Sequence, residues 1–265
     1  QKPPFDAYHS NVFHITAPPY RSVIQKRIEF VVNSSEFKDV KGDYAGKSIK
    51  FSKNALSNFF KSLYKTLFDS KNSEVLSFLE ETSYPNIRAG LEKFNLFLIS
   101  GHTNVTQYIV SDTYDIPIWE FIKSVALESK YYYSHEVSEI NNLFYPTPGN
   151  QNHFTKIRIL QFLLDHLETK STIDPYVQVS TICSVFGLIG YNRETIQAEI
   201  LDLLNNKFIE TSEYSFDVED ETEITEETNV RATLSASYYI HHLLNRMCYL
   251  DLVLQDTPIY DNATY

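Results

Sequence analysis

The chain has 265 residues, enough for one large or two modest domains that each bury a hydrophobic core. Hydrophobic residues make up 43% and charged residues 22%, which is ordinary globular usage and argues against disorder of the whole chain. No stretch approaches the roughly 18 consecutive apolar residues of a transmembrane helix. Two cysteines are too few for a typical secreted disulfide framework. We therefore expect a cytoplasmic protein that does not span a membrane.

Charge divides the chain into two unlike parts. Residues 1–150 carry 16 Lys+Arg and 16 Asp+Glu, so the net charge of −11 lies entirely in residues 151–265. A cluster of Pro, Gly and Asn at residues 146–152 coincides with this change and is typical of a domain boundary. We predict an irregular segment at 1–19, a helical bundle at 20–148 and a second domain at 149–265.

The first part has helical periodicity almost throughout. Ser52 and Ser73 stand where N-terminal caps belong, and Gly101 is a natural helix stop. Residues 33–50 are polar and predict a loop. The helix that opens at Pro85 has an apolar stripe of Ile87, Leu91, Phe94 and Leu98. The predicted helices cover residues 20–32, 53–69, a segment after Ser73, 85–100, 104–110 and 116–127.

The second part changes its pattern. Three helices are followed by two short strands, which is the element order of a winged helix. A last helix from Ala236 is expected to bury Ile240, Leu243, Met247, Leu250 and Leu254. The predicted helices cover residues 153–168, 179–188 and 193–206, and the predicted strands cover 207–210 and 230–234. The fold class is therefore mainly α, a helical bundle followed by a winged-helix domain with a small β-ribbon.

One segment resembles a phosphate-binding loop but fails its requirements. Residues 42–48 read Gly-Asp-Tyr-Ala-Gly-Lys-Ser, with three residues between the glycines where the motif needs four. Such a loop must also follow a buried strand and open a helix, so that its N–H groups converge on phosphate. The preceding residues 37–41 are too charged for a buried strand. We do not expect this segment to bind phosphate.

No catalytic or metal-binding signature is present in the sequence. His241 and His242 are adjacent, so on a helix they point about 100° apart and do not make a ligand pair. Cys183 has apolar neighbours, which raise the pKa of a thiol. We therefore expect no catalytic residue and no metal ligand in this chain.

Arg88 is the most informative single residue. It falls in the first turn of the helix that begins near Pro85, where a cation opposes the helix dipole by about 0.3–1 kcal/mol. An ion pair with Glu92 at i,i+4 is one account, worth about 0.3–0.5 kcal/mol. The other account is that a bound phosphate group contacts the arginine. Surface ion pairs are common, so the residues alone favour the pair with Glu92.

The order of these segments resembles the C-terminal part of AAA+ and related signal-transduction ATPases, above all origin-recognition initiators. The segment from Ile15 to Arg27 resembles the exit from the last core strand into the first helix of the lid. Residues 83–91, Ser-Tyr-Pro-Asn-Ile-Arg-Ala-Gly-Leu, resemble the start of the sensor-2 helix, and residues 153–250 match the winged helix in order and length. The resemblance covers about residues 12–255, although its motifs are short.

The resemblance implies nucleotide-contacting roles for Arg88 and Arg27. It departs from the family where Pro85-Asn86 replaces the usual Gly-Asp, and where Walker A, Walker B, sensor-1 and arginine-finger segments are missing. The chain begins at Gln1, and on this view the catalytic core precedes it. ATP with magnesium is then a ligand of the intact protein, with no cofactor for this chain alone.

Charge argues against DNA as the partner. The predicted third helix carries Arg193 against Glu194, Glu199 and Asp202, and the predicted wing at residues 213–227 holds eight carboxylates without Lys or Arg. Phosphate neutralisation supplies most DNA affinity, so we expect weak or no nucleic-acid binding and a protein partner or neighbouring subunit instead. Two functions stay open: the regulatory lid and winged-helix module of a nucleotide-switched ATPase, or a free-standing winged-helix interaction or transcription-regulatory protein with a helical N-terminal domain.

Overall fold

The computed structural model describes residues 18–33, 40–44, 47–69, 73–110, 115–170, 174–212 and 224–260. Over these residues the protein is mainly helical, with a small three-stranded antiparallel sheet towards the C-terminal end. The predicted fold class is confirmed at this level. The predicted irregular segment at 1–19 lies almost wholly outside the described residues.

The described residues of the first half form six helices and one β-hairpin. The two predicted serine caps are present: the Ala55 N–H donates to Ser52 Oγ and the Leu76 N–H donates to Ser73 Oγ, each at 3.2 Å. Gly101 has a φ of +77°, the left-handed backbone that stops the preceding helix. The elements are α1 (Tyr20–Asn33), β1 (Val40–Tyr44), β2 (Lys47–Phe51), α2 (Lys53–Phe68), α3 (Glu74–Glu81), α4 (Ile87–Ile99), α5 (Val105–Val110) and α6 (Ile118–Leu127).

The predicted loop over residues 33–50 is wrong in its second part, because β1 and β2 pair there as an antiparallel hairpin. Gly42 lies opposite Ile49 and Asp43 lies opposite Ser48. The Gly-Asp-Tyr-Ala-Gly-Lys-Ser segment therefore forms two paired strands around residues 45–46, which lie outside the described part. A phosphate loop needs a strand, a loop and a helix in that order, so the hairpin does not provide its geometry.

Helix α4 differs from its prediction in its start and in its buried face. It begins at Ile87 with Asn86 as N-cap, whose Oδ1 accepts from the N–H groups of Arg88 and Ala89. Its buried residues are Gly90, Lys93, Phe94 and Phe97, whereas Leu98 of the predicted stripe is exposed. The face is rotated because Tyr20 packs against Gly90 and because Lys93 has acceptors for its ammonium in the interior.

The second half contains the sheet. Its strands are ordered β3–β5–β4, all antiparallel, where two strands were predicted; the two-residue β3 is too short to show a sequence period. The predicted strand over 230–234 ends at Ala232, since Thr233 caps the next helix. The elements are α7 (Thr155–Lys170), β3 (Val177–Gln178), α8 (Val179–Gly187), α9 (Arg193–Asn205), β4 (Ile209–Thr211), β5 (Asn229–Ala232), α10 (Leu234–Tyr238) and α11 (Met247–Val253).

The predicted continuous C-terminal helix is broken. Helix α10 runs into a π-helical turn, Tyr239–Leu243, and α11 starts after Arg246, whose backbone is extended. The break changes which side chains are buried: Tyr249, Leu252 and Val253 enter the core, while Met247 and Leu254 are 73% and 67% exposed. The prediction that Met247 and Leu254 are buried is therefore wrong.

The buried apolar residues of both halves form one continuous cluster that extends from Tyr20 to Val253. Phe78 of α3 lies 6.2 Å from Tyr238 of α10, between ring centroids. Near this contact Arg246 forms an ion pair with Glu74 at 3.2 Å. The helical half and the sheet-containing half are thus packed on each other.

Candidate functional site

Arg88 lies at the surface of the first turn of α4, exposed to solvent. Its backbone N–H donates to the Asn86 cap, but its guanidinium has no hydrogen bond or ion pair with any other residue that the structure describes. The alternative ion pair with Glu92 is not formed, although both residues are described. A cation at this end of a helix has an unfavourable dipole interaction that no neighbouring carboxylate offsets.

Arg27 is the other residue predicted to contact nucleotide, and it lies exposed on α1. The hydroxyl of Tyr20, on the same helix, donates to the Gly90 carbonyl of α4 at 2.7 Å. Burial raises the pKa of Tyr20 and the charge of Glu80 adds to this rise, while the charge of Arg27 lowers that pKa. The charge of Arg27 therefore acts on the Tyr20 hydroxyl, whose hydrogen bond joins α1 to α4. The acceptor of that bond, Gly90, lies two residues after Arg88 in the sequence.

A cleft of about 680 Å³ lies between the two halves of the molecule. One wall is the turn between α3 and α4 together with residues 139 and 141. The opposite wall is the turn between α9 and β4 together with residues 233 and 235. A volume of this size is within the range of small-molecule sites, about 300–1,000 Å³.

The ammonium of Lys93 lies in the wall of this cleft and is buried. Lys93 Nζ donates to the Thr82 carbonyl at 2.7 Å and to Thr82 Oγ1 at 3.2 Å, at the C-terminal end of α3. Both acceptors are neutral, and no described carboxylate lies within 4.0 Å of Nζ. Burial lowers the pKa of Lys93 to about 8, and the more distant Glu139 opposes this effect. One of the three N–H donors has no acceptor among the described residues.

Two further features of the cleft cost stability. Ser83 is buried and its Oγ has no hydrogen-bond partner in the described structure. Lys207 has a φ of +62° at the end of α9, in the position that usually holds glycine. The Phe208 N–H donates to the Leu203 carbonyl and the Lys207 N–H donates to the Leu204 carbonyl, which is the bonding of a Schellman motif.

The cleft carries almost no local signal in the sequence and was not predicted. Its lining residues come from four segments far apart in the chain, near residues 82–93, 139–141, 204–211 and 233–235. The one local signal is Lys93, which lies three residues after Gly90 and four before Phe97 and so shares their buried face. A lysine on a buried face requires either an acceptor or a ligand for its charge.

Helix α9 presents less charge to solvent than expected. Glu199 is fully buried, and its Oε1 accepts from the Thr147 N–H, from Thr147 Oγ1 and from Asn150 Nδ2 at 2.6–2.9 Å. Its Oε2 lies 3.8 Å from Lys156 Nζ, which is ion-pair distance but too long for a hydrogen bond. The expectation that Glu199 belongs to an exposed recognition surface is wrong, because this carboxylate binds the boundary segment to α9.

The two arginine side chains near the three-stranded sheet form ion pairs with carboxylates. Arg193 pairs with Glu226, and Arg231 pairs with Glu210, so both guanidinium groups are neutralised locally. Six of the eight predicted wing carboxylates, at residues 213, 217, 219, 220, 221 and 223, lie outside the described residues. Of the wing acids that are described, Glu226 and Glu227 are exposed.

The remaining candidate features of the sequence are its possible metal ligands, the Cys183 thiol, and the adjacent His241 and His242. The described residues contain no group of three or more His, Cys, Asp or Glu arranged to hold a metal ion. Burial raises the pKa of the Cys183 thiol, as predicted, and His241 and His242 are exposed. Among the described helices, none is long and apolar enough to cross a membrane.

Comparison of the chain with protein-family models, with curated proteins and with solved structures found no match in any of the three.

Proposed function

We propose that this chain is the regulatory lid and winged-helix module of a nucleotide-switched ATPase. In this proposal Arg88, assisted by Arg27, contacts the phosphates of ATP held by a core domain outside the chain. The second half passes the nucleotide state to a protein partner or a neighbouring subunit. The observation that carries the proposal is the free, exposed guanidinium of Arg88 on a helix built into the common core.

The topology of the second half supports the winged-helix part of the proposal. The elements follow in the order α7, β3, α8, α9, β4 and β5. The two-residue β3 pairs with β5, and β5 pairs with β4, so the last strand is central. A short strand after the first helix that joins the terminal hairpin is what a winged helix adds to a helix-turn-helix.

The packing of α4 supports transmission of a signal from Arg88. The Tyr20 hydroxyl joins α1 to α4, and Phe97 of α4 stacks on Phe121 of α6 with ring centroids 3.7 Å apart. Helices α3 and α6 in turn contact α10 and α11 of the second half. A phosphate that draws Arg88 towards the core would therefore move a packed body, not a single side chain, as a two-state switch requires.

The surface of the second half favours a protein partner over DNA. Lys207 is the exposed cation of the α9–β4 turn, while Arg193 and Arg231 are paired with carboxylates. At the turn between α8 and α9, Leu188 is 88% and Ile189 is 63% exposed. Two adjacent aliphatic side chains at this turn suit an apolar partner surface, whereas a phosphate backbone requires unpaired positive charge.

The exposed pair Leu188 and Ile189 also favours a second candidate, a free-standing winged-helix interaction or regulatory protein. This candidate needs the partner surface but gives Arg88 no nucleotide to bind. The two candidates therefore differ in the role of Arg88.

The decisive experiment compares Arg88→Ala with Glu92→Ala in the natural full-length protein. If Arg88 contacts phosphate, Arg88→Ala loses one charge-assisted contact of about 1.5–3 kcal/mol, which weakens ATP affinity about tenfold to a hundredfold. Nucleotide-dependent oligomerisation should weaken in parallel. Glu92→Ala is the matched control, one turn further along the exposed face of α4, and should bind ATP like the wild type.

Equal, near wild-type ATP affinity of both variants would remove Arg88 from the nucleotide site and leave the second candidate. Folding stability must be measured beside binding. An exposed arginine without a partner should be replaceable by alanine with little loss of stability, so a large drop in Tm would show that Arg88 has a structural role.

A further inference from the structure

We propose that the cleft between the two halves is a binding site for a small organic anion, whose carboxylate or phosphate group lies between Lys93 and Lys207. The site goes beyond the proposed function, because its walls contain neither Arg88 nor Arg27. Its volume of about 680 Å³ accommodates a metabolite-sized molecule.

The charge of Lys93 is the first reason. A buried ammonium is costly unless a counter-charge or sufficient acceptors stabilise it. Thr82 supplies two neutral acceptors, which explains the orientation of the side chain at the end of α3 but places no carboxylate at ion-pair distance from the ammonium. A neutral donor such as glutamine could make the same two bonds without a buried charge. An anion in the cleft would supply the missing counter-charge and would accept from the third N–H.

The second reason is that two independent local costs occur at the same cleft. The buried Ser83 hydroxyl has no partner among the described residues, although such groups in folded proteins are nearly always hydrogen-bonded. Lys207 occupies a left-handed position where glycine would be less strained. A lysine at that position adds a cation to the rim of the cleft. Strain and unsatisfied polar groups cluster at ligand sites, because the ligand recovers their cost.

The third reason is the distribution of negative charge around the cleft. Glu210 lines the cleft but pairs with Arg231, so its charge is balanced within the protein. Glu139 is exposed and lies beyond 4.0 Å from Lys93 Nζ. Glu139 also lines the cleft and has no ion-pair partner among the described residues, so Lys93 and Lys207 bring two positive charges against its one negative charge and the cleft is positive on balance.

A ligand at this position would bridge the two halves. The turn between α3 and α4 belongs to the first half, and the turn between α9 and β4 belongs to the second. Binding would stabilise the packed arrangement over any state in which the halves separate. The site is therefore regulatory in kind, since the bound anion would act on the packing of the two halves.

The test measures the melting temperature of the chain in increasing inorganic phosphate and, in a separate arm, increasing succinate, each against sodium chloride of equal ionic strength. A specific site gives a rise that follows the logarithm of anion concentration above Kd and reaches about 3 °C at tenfold excess over Kd; we call it the binding-dependent rise. Phosphate also stabilises proteins by exclusion from their surface, but that effect grows linearly with concentration and is shared by all variants. The arm in which the binding-dependent rise begins at the lower concentration identifies the anionic group.

Two variants decide the outcome. Lys93→Met should abolish the binding-dependent rise in both arms. Lys207→Gly removes the rim cation and relieves the left-handed strain, so it should raise the melting temperature without anion and yet weaken anion affinity at least fivefold. Lys130→Met removes an exposed lysine outside the cleft and should respond like the wild type.

A wild type without the binding-dependent rise in either arm overturns the proposal. It is also overturned if Lys207→Gly keeps wild-type affinity for phosphate and succinate, since the anion then binds elsewhere. This second result decides the matter even if Lys93→Met does not fold.

Discussion

Gly90 shows how one residue positions the helix that carries Arg88. A Cβ built on Gly90 would lie 2.6 Å from Tyr20 Cε2, closer than real Cβ atoms approach, and 3.1 Å from Tyr20 Cζ, which is also a tight contact. Tyr20 cannot easily move aside, because its ring is buried and its hydroxyl donates to the Gly90 carbonyl itself. The absence of a side chain at Gly90 therefore sets the distance between α1 and α4.

Gly90→Ala should destabilise the protein, although alanine is the better helix former by about 1 kcal/mol. We expect a net loss of about 1–3 kcal/mol in the free energy of unfolding, from overpacking against Tyr20 and loss of its hydrogen bond. Urea denaturation measures the change. Gly187→Ala is the matched control: Gly187 is also helical and has open space around the added Cβ, so this variant should be neutral or more stable. A Gly90→Ala protein as stable as Gly187→Ala would contradict the packing.

At the scale of an element, Glu199 connects α9 to the segment that separates the two predicted domains. Thr147 and Asn150 of that segment both donate to its Oε1, and Lys156 of α7 lies on its other side. Glu199→Leu leaves these buried donors without an acceptor and should cost about 3–5 kcal/mol. Glu199→Gln retains an oxygen acceptor and should cost less, about 1–2 kcal/mol.

The control for this prediction is Glu194→Leu, because Glu194 is exposed on the same helix. It should change stability by less than about 1 kcal/mol, the limit for a carboxylate at a helix N-terminus. Chemical denaturation with a common m-value compares the three variants. Equal midpoints for Glu194→Leu and Glu199→Leu would show that Glu199 is a surface charge, as its sequence context first indicated.

The elements were predictable where the sequence carries a local signal. Ser52 and Ser73 marked the starts of α2 and α3, and Gly101 marked the end of α4, because a capping side chain or a left-handed backbone acts within a few residues. The β1–β2 hairpin was missed because its residues are mostly polar, so no apolar alternation marks it. The buried face of α4 was misassigned because Lys93 lies on it. The break before α11 is set by tertiary packing, which moves Tyr249 inward and Met247 outward.

The candidate sites were likewise predictable only where a local sequence signal marks them. The position of Arg88 in the first turn of a helix was predictable from Pro85, three residues earlier, and α4 begins at Ile87. Its contact with nucleotide remains a prediction. The cleft could not be predicted, since Lys93, Ser83 and Lys207 come together only through long-range packing, and each looks ordinary in its own segment.

At the scale of the whole molecule, one core joins halves that differ in charge and sequence pattern. Two tyrosine hydroxyls bind the segment before the boundary to the C-terminal end. The Asn141 N–H donates to the Tyr239 hydroxyl, and the Leu143 N–H donates to the Tyr249 hydroxyl, which itself donates to the Asn141 carbonyl. The amide of Asn142 also donates to the Val253 carbonyl. These bonds cross the predicted boundary and are buried or partly buried, so separation of the halves would expose their polar groups together.

We therefore expect the chain to unfold as one cooperative unit, although chains of more than about 150 residues often unfold in steps. The chain has a single tryptophan, Trp119 of α6, so its fluorescence reports on the first half only. Ile200→Val removes one methylene from a fully buried position of α9 in the second half and should cost about 0.5–1.5 kcal/mol. If the two halves unfold together, the urea midpoint measured by Trp119 fluorescence must shift by the same amount as the midpoint measured by far-UV circular dichroism. Leu201→Ala, at the neighbouring and partly exposed position, is the control and should shift both transitions little.

A Trp119 midpoint that stays at its wild-type value in Ile200→Val, while the circular dichroism midpoint falls or splits, would show that the halves unfold independently. A lid that unfolds or moves independently of the second half could not carry a nucleotide signal from Arg88 to a partner, so this measurement also tests the mechanical premise of the proposed function.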